Sequence, residues 1–200
     1  MERRDYKFSS FEPACRQAGK VKNREVSPGE KMAVLEILKY PYPTLKKRSK
    51  EVKQIGEGIK TLIHDMAETM YEANGIGLAA CQVGVPQRVI VLDISPIDPQ
   101  QSFFAIINPE IISEEGEIDH EEGCLSVPDF FEKVKRKEKI RVKGISPEGK
   151  EMEVAGEGIL AFVLQHEIDH LNGILILDRL SYLKREIYRN KLKKEKRRDS

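Results

Sequence analysis

The segment GILAFVLQHEIDHLN, residues 158–172, restricts this chain more than any other. Ile159, Leu160, Phe162, Val163 and Leu164 leave its first half almost wholly apolar, and Gly173 stands where such a helix would close. A helix without a polar face must be surrounded by the rest of the fold. Its last turns nevertheless carry Gln165, His166, Glu167, Asp169 and His170, and burying these without partners is costly. His166 and His170 are four residues apart, so both imidazoles lie on one helical face and reach one cation. Glu167 stands beside the first histidine, where a carboxylate can take a proton from a metal-bound water.

Elements of two periodicities surround this helix. Between Val52 and Ala73, Ile55, Ile59, Leu62, Ile63, Met66 and Met70 form a helical stripe. After Asn74-Gly75 the pattern turns to short apolar runs, RVIVLDI (88–94) and FFAIINPEII (103–112). EKIRVKGI (138–145) and KEMEV (150–154) alternate around the turn Ser146-Pro147-Glu148-Gly149, which predicts a hairpin. Ser181 can cap a terminal helix with an apolar face of Leu183, Ile187 and Leu192. The expected class is α+β, with an antiparallel or mixed sheet packed around the central helix and a helix at the C-terminus.

A catalytic metal site needs a third protein ligand and an open position for water. The extended pattern H-E-x-x-H-x-x-G-x-x-H is met through Gly173 and then fails, because Ile176 stands at the last ligand position. His64 lies between apolar neighbours on the stripe helix and reads as structural, while His120 sits in an acidic run and reads as surface. Cys124 remains, either as a small core residue or as a ligand, with Gly123 before it allowing close backbone approach. Two rivals stay open at this point: an H-E-x-x-H endopeptidase, and a binding module with a structural zinc. Gly75, Gly77 and Ala80 fit the letters of a dinucleotide fingerprint, but they follow a helix instead of a strand, so that reading fails.

The 200 residues, 40% apolar and 34% charged, suit one domain with a heavily charged surface. Cys15, Cys81 and Cys124 are too few and too far apart for a disulfide framework. No apolar run is long enough for a membrane span and no secretory leader is evident, so a soluble, cytoplasmic protein is expected. The net charge of +1 is unevenly spread. Residues 182–200 hold nine basic and three acidic groups, and residues 1–31 hold eight and five. Residues 1–31 lack periodicity and are expected to be a disordered extension without a catalytic role.

GIGLAACQ (75–82), EGCLS (122–126) and QHEIDH (165–170) resemble, in order and spacing, the three signature motifs of the peptide deformylases. MAVLEILKYPYPTL (32–45) and ILILDRLS (174–181) are similar to that family too, so the likeness spans residues 32–181, the expected catalytic domain. The resemblance implies an enzyme that removes the formyl group from the initiator methionine of nascent chains. It implies that Cys124, His166 and His170 hold a divalent metal with water as fourth ligand, and that Glu167 acts as general base and acid. Gln82 and the backbone N–H of Leu125 would stabilise the oxyanion. The Ile76–Gly77 backbone would pair with the substrate as an added strand. Ile76, Leu125, Ile159, Phe162 and Val163 would line the methionine pocket, with Glu122 and Arg136 paired behind the ligands. A cysteine with two histidines suits zinc by geometry, whereas the resemblance implies ferrous iron as the native ion. Asp129-Phe130-Phe131-Glu132 replaces an arginine that some members carry near the pocket mouth. The implied substrate suggests a ribosome contact through the basic tail at residues 182–200.

Overall fold

The computed structural model describes residues 33–198, so the extension at 1–31 lies outside the described residues. The elements are α1 (Glu57–Glu72), β1 (Gly77–Ala79), β2 (Val89–Leu92), β3 (Phe104–Glu115), β4 (Ile118–Cys124), β5 (Val127–Arg136), β6 (Lys139–Ile145), β7 (Glu151–Glu157), α2 (Ile159–Leu171) and α3 (Tyr182–Arg198). Five strands form a sheet in the order β1-β2-β3-β6-β7, and β4 with β5 forms a separate hairpin. Every pairing between these strands is antiparallel, so the mixed alternative drops out. No helix among the described residues is long and apolar enough to cross a membrane.

The two helices divide the faces of the large sheet. All four residues of β2 are buried. Ile90 and Leu92 join Leu160, Leu164, Ile168 and Leu171 of α2, while Val89 and Val91 join Ile59, Ile63, Met66 and Met70 of α1. A strand buried on both faces reads as a continuous apolar run, which is why 88–94 carries no alternation. The predicted β6–β7 hairpin forms, with Ile145 opposite Glu151 and Gly149 at φ +79° in the turn. Behind α2, Gly173 at φ +74° lets the chain turn against the Lys46 carbonyl, whose oxygen would lie 2.6 Å from an added Cβ.

The β4–β5 hairpin has no counterpart in the sequence pattern, where 118–136 shows only its motif. Its outer face pairs charges, Asp119 opposite Lys135 and Glu121 opposite Lys133, and so lacks the apolar beat that signals a strand.

The terminal helix also departs from expectation. Leu183 and Ile187 are 69% and 62% exposed, so they do not seat it on the domain. Tyr188, 2% exposed, and the half-buried Leu192 do so instead. Tyr188 packs edge-on to Phe130, ring centroids 4.8 Å apart, within a cluster that includes Val127, Val134, Ile176 and Leu177. The reason is register: Arg185 reaches the Leu177 carbonyl at 3.1 Å and Lys184 pairs with Glu132, which turns positions 188 and 192 inward. Ser181 accepts the Lys184 N–H only at 3.5 Å, a weak cap. Tyr188→Ala should therefore lower stability by about 3 kcal/mol, whereas Leu183→Ala should change it by less than about 0.5 kcal/mol, read by denaturant unfolding.

Candidate metal centre

The apolar first half of α2 buries the helix, and its last two turns bring His166 and His170 to the hairpin. There the Cys124 sulfur stands 3.2 Å from His170 Nε2. One donor atom from each of Cys124, His166 and His170 lies within 4.8 Å of the others. Sequence alone leaves Cys124 open between ligand and core residue; the hairpin brings it to the histidines. His166 is oriented from behind, with Nδ1 2.9 Å from Glu122 Oε2, so its Nε2 is left for a cation. Glu122 is in turn held by Arg136, whose Nε and terminal nitrogen donate to its two oxygens at 2.7 and 2.8 Å. Burial opposes ionisation of Glu122, yet Arg136 and His166 hold its carboxyl down at about 2.

Arg136 also donates to Asp169 at 2.6 Å, and Asp169 accepts from Arg179 through both oxygens. Asp169 lies inside QHEIDH and Arg179 inside ILILDRLS, but sequence reading gives neither a role in the site. The one signal in the sequence is a second carboxylate at the buried end of α2, too costly to leave without a cation.

Burial raises the Glu167 carboxyl to about 7. Its Oε2 is buried and has no partner among the described residues, and the same is true of His170 Nδ1. Burial, helped by His166 and Arg136, holds His170 well below the usual histidine value. Burial also works against protonated His166, but Cys124 and Glu122 beside it hold that ring well above. A thiol and two imidazoles converge here, with a carboxyl beside them whose outer oxygen is unpartnered. This donor set fits a divalent cation of borderline softness.

Gln82 presents its amide to the same space. Its Oε1 accepts from the Ala79 N–H at 2.8 Å, which turns Nε2 toward Ser126 Oγ at 3.2 Å and the Cys124 sulfur at 4.0 Å. The peptide after Cys124 is pinned from outside, with Lys39 Nζ donating to the Leu125 carbonyl at 2.6 Å and the Tyr40 N–H to that of Ser126 at 2.8 Å. Lys39 and Ser126 are further supports that sequence reasoning misses, since only long-range packing reveals them. Gly77 lies so close to α2 that an added Cβ would meet Glu167 Oε1 at 2.6 Å and Val163 at 2.9 Å. Leu125 similarly closes on Gly75. Ile76 and Ile159 are partly buried at the edge of the core that contains Val163.

Two histidine readings need correction. His120 is not a surface residue: it is half-buried, and its ring stacks on Phe162 with centroids 4.0 Å apart and planes 25° from parallel. It is shielded from solvent because β4 turns His120, Glu122 and Cys124 toward α2. His64 is exposed on α1 and belongs neither to the core nor to the cluster, because the buried stripe runs through its neighbours Ile63 and Met66. The segment Asp129–Glu132 lies in β5, where Phe131 is 71% exposed.

The sequence model of polypeptide deformylase matches residues 34–186. A peptide deformylase of Thermodesulfovibrio yellowstonii is 55% identical over 165 residues, covering 82% of this chain and all of that protein. One from Syntrophobacter fumaroxidans is 49% identical, covering 82% of this chain and 96% of that protein. Among solved structures, peptide deformylase from Legionella pneumophila superposes with a TM-score of 0.77 at 49% identity, covering 84% of this chain and 98% of the other. The Ehrlichia chaffeensis enzyme in complex with actinonin gives 0.79 at 40% identity, covering 83% and 99%. With one family matched along most of its length in both sequence and structure, the chain belongs to the polypeptide deformylases, metal-dependent enzymes that remove the N-formyl group from nascent peptides.

Proposed function

We propose that Cys124, His166 and His170 are the metal ligands and that Glu167 is the general base and acid of deformylation. The observation that carries this reading is the convergence of the three donor atoms within 4.8 Å beside a buried, unpartnered carboxylate oxygen. A divalent cation held by Cys124, His166 and His170 would supply Lewis acidity and lower the pKa of a water molecule there toward about 7. Glu167, with its own carboxyl near 7, takes the proton as water attacks the formyl carbon. The Gln82 amide and the Leu125 N–H donate to the oxygen on which negative charge develops. Glu167 then returns the proton to the departing amine, and formate and a free N-terminus result. Ferrous iron is the native ion in this reading, with zinc as an alternative occupant of the same donors.

The substrate backbone adds to the open edge of β1 at Ile76 and Gly77. In support, β1 is the outer strand of its sheet, and glycine at 77 brings that edge up to Glu167. Ile76, Leu125, Ile159, Phe162 and Val163 form the slot for the methionine side chain. Glu122 and Arg136 hold the His166 ring in the tautomer that coordinates. The catalytic unit is taken as residues 32–181, and the work is cytoplasmic, where nascent chains emerge. Lys191, Lys193 and Lys194 of α3 carry the basic stretch toward ribosomal RNA, next to the exposed Leu183 and Ile187.

Glu167→Ala should keep its metal and lose activity by about 10² to 10⁴-fold, measured on a short formyl-methionyl peptide with metal content determined in parallel. Full turnover in the loaded variant would refute the assignment. Glu122→Ala should instead weaken metal affinity by about 10- to 100-fold, seen in competition with a chelator. Ending the chain at Asn190 should leave short-peptide turnover unchanged but weaken ribosome binding and flatten its salt dependence. Equal ribosome affinity across a salt series would reduce the tail to a solvated helix end.

A further inference from the structure

Residues 33–39 belong to no helix or strand, yet their course beside the site is closely fixed. The Ala33 and Leu35 N–H groups donate to Asp65 Oδ1 and Thr69 Oγ1 of α1, at 3.0 and 2.9 Å. Ile37 is partly buried against the α1 side of the core, and Tyr40 against the cluster that holds Tyr188. Between these two anchors the segment passes the site, and three consecutive residues each take one carbonyl there. The Leu38 N–H donates to Gln82 at 2.7 Å, Lys39 Nζ to Leu125 at 2.6 Å, and the Tyr40 N–H to Ser126 at 2.8 Å. Gln82 Nε2 in turn lies 3.2 Å from the Ser126 hydroxyl. One short stretch of chain therefore holds both residues assigned to the oxyanion.

We propose that Lys39 is a positioning residue of deformylation: through the Leu125 carbonyl it fixes the direction in which the Leu125 N–H meets the developing oxyanion. This rests on the oxyanion donors proposed above. Peptide units are planar, so only the φ and ψ of Leu125 separate its N–H from its C=O. Leu125 lies in the turn between β4 and β5, outside the strand pairing, so a hold on its carbonyl removes much of that freedom. On the opposite side its Cδ1 would lie 2.9 Å from a Cβ added to Gly75, which leaves the side chain little room to shift. The bond from Lys39 is charge-assisted. Lys39 is exposed, however, and water competes for its charge, so the contact adds little to folding stability. The rate is more sensitive. A catalytic donor acts through its placement, and a shift of about 1 Å can cost about 10²-fold. Of the three contacts only that of Lys39 is made by a side chain, so a substitution there deletes it and spares the backbone.

The test measures kcat and KM on a short formyl-methionyl peptide, with metal content and Tm, in the wild type, Lys39→Met, Lys39→Arg and Gln82→Ala. Lys39→Met keeps an unbranched side chain and loses the donor. Its kcat should fall about tenfold, less than the roughly 10²- to 10³-fold expected when an oxyanion donor is removed outright in Gln82→Ala. KM should change by less than about twofold, because the donor counts most once charge has developed on the oxygen. Metal content and Tm should stay at wild-type values, which loss of a merely structural support would not allow. Lys39→Arg, a charged donor of similar reach, should recover most of kcat. Wild-type kcat in Lys39→Met beside an impaired Gln82→Ala overturns the proposal. A loss that tracks metal content or Tm overturns it too, as does one that Lys39→Arg leaves unrecovered. Full turnover in Gln82→Ala overturns the oxyanion donors themselves, a failure that the Lys39 variants do not produce.

Discussion

The site depends on one buried ion pair, Glu122 with Arg136, both nearly inaccessible and joined through two hydrogen bonds. Removing two charges from water costs several kcal/mol each, and attraction repays this only when geometry and further hydrogen bonds are good. Here Arg136 also meets Asp169, and Glu122 also meets His166. The pair thus compensates the polar end of an otherwise apolar helix. It also ties both strands of the hairpin to α2, since Glu122 lies in β4 and Arg136 in β5. The same contacts that fix the hairpin aim the His166 ring and bring Cys124 to His170.

The large sheet supplies the opposite wall. Its outer strand β1 is short, and glycine at position 77 lets backbone, and not a side chain, face Glu167. A carboxylate packed this closely against main chain loses water, which is the physical source of its raised pKa. Ordinary core packing of β1, β2 and α2 and the electrostatics of the site therefore come from one arrangement. On the far face, α1 uses Met66 and Met70 to support β2 from below.

Elements whose period reports a single buried face are legible in the residue pattern alone. The stripe from Ile59 to Met70 is α1, trimmed to Glu57–Glu72 because Val52 and Ile55 approach the core in extended chain. The β4–β5 hairpin is hidden because one of its faces is charged and the other carries Glu122 and Arg136, polar residues buried by pairing, beside the half-buried His120 stacked on Phe162. Hydropathy cannot distinguish a polar residue that is solvated from one that is paired inside. His120 looks like a surface residue for that reason. In α3, Leu183 and Ile187 match the expected spacing equally well, but the ion pair at Lys184 and the contacts of Arg185 and Tyr188 set the rotation.

By itself the sequence determined what lies within a few residues: helix and strand periods, the i and i+4 histidines, the adjacent glutamate and the glycine at 77. These follow from the geometry of one turn or one pleat, which every residue carries with it. Its three motifs also pointed to the family. Only the tertiary structure decided that the sulfur 46 residues before His170 completes the cluster, that Asp169 and Arg179 brace it, and that His120 turns inward onto Phe162. Those contacts depend on where a hairpin comes to rest against a helix. That position is set by the sum of packing and charge pairing across the whole core, which no local pattern encodes.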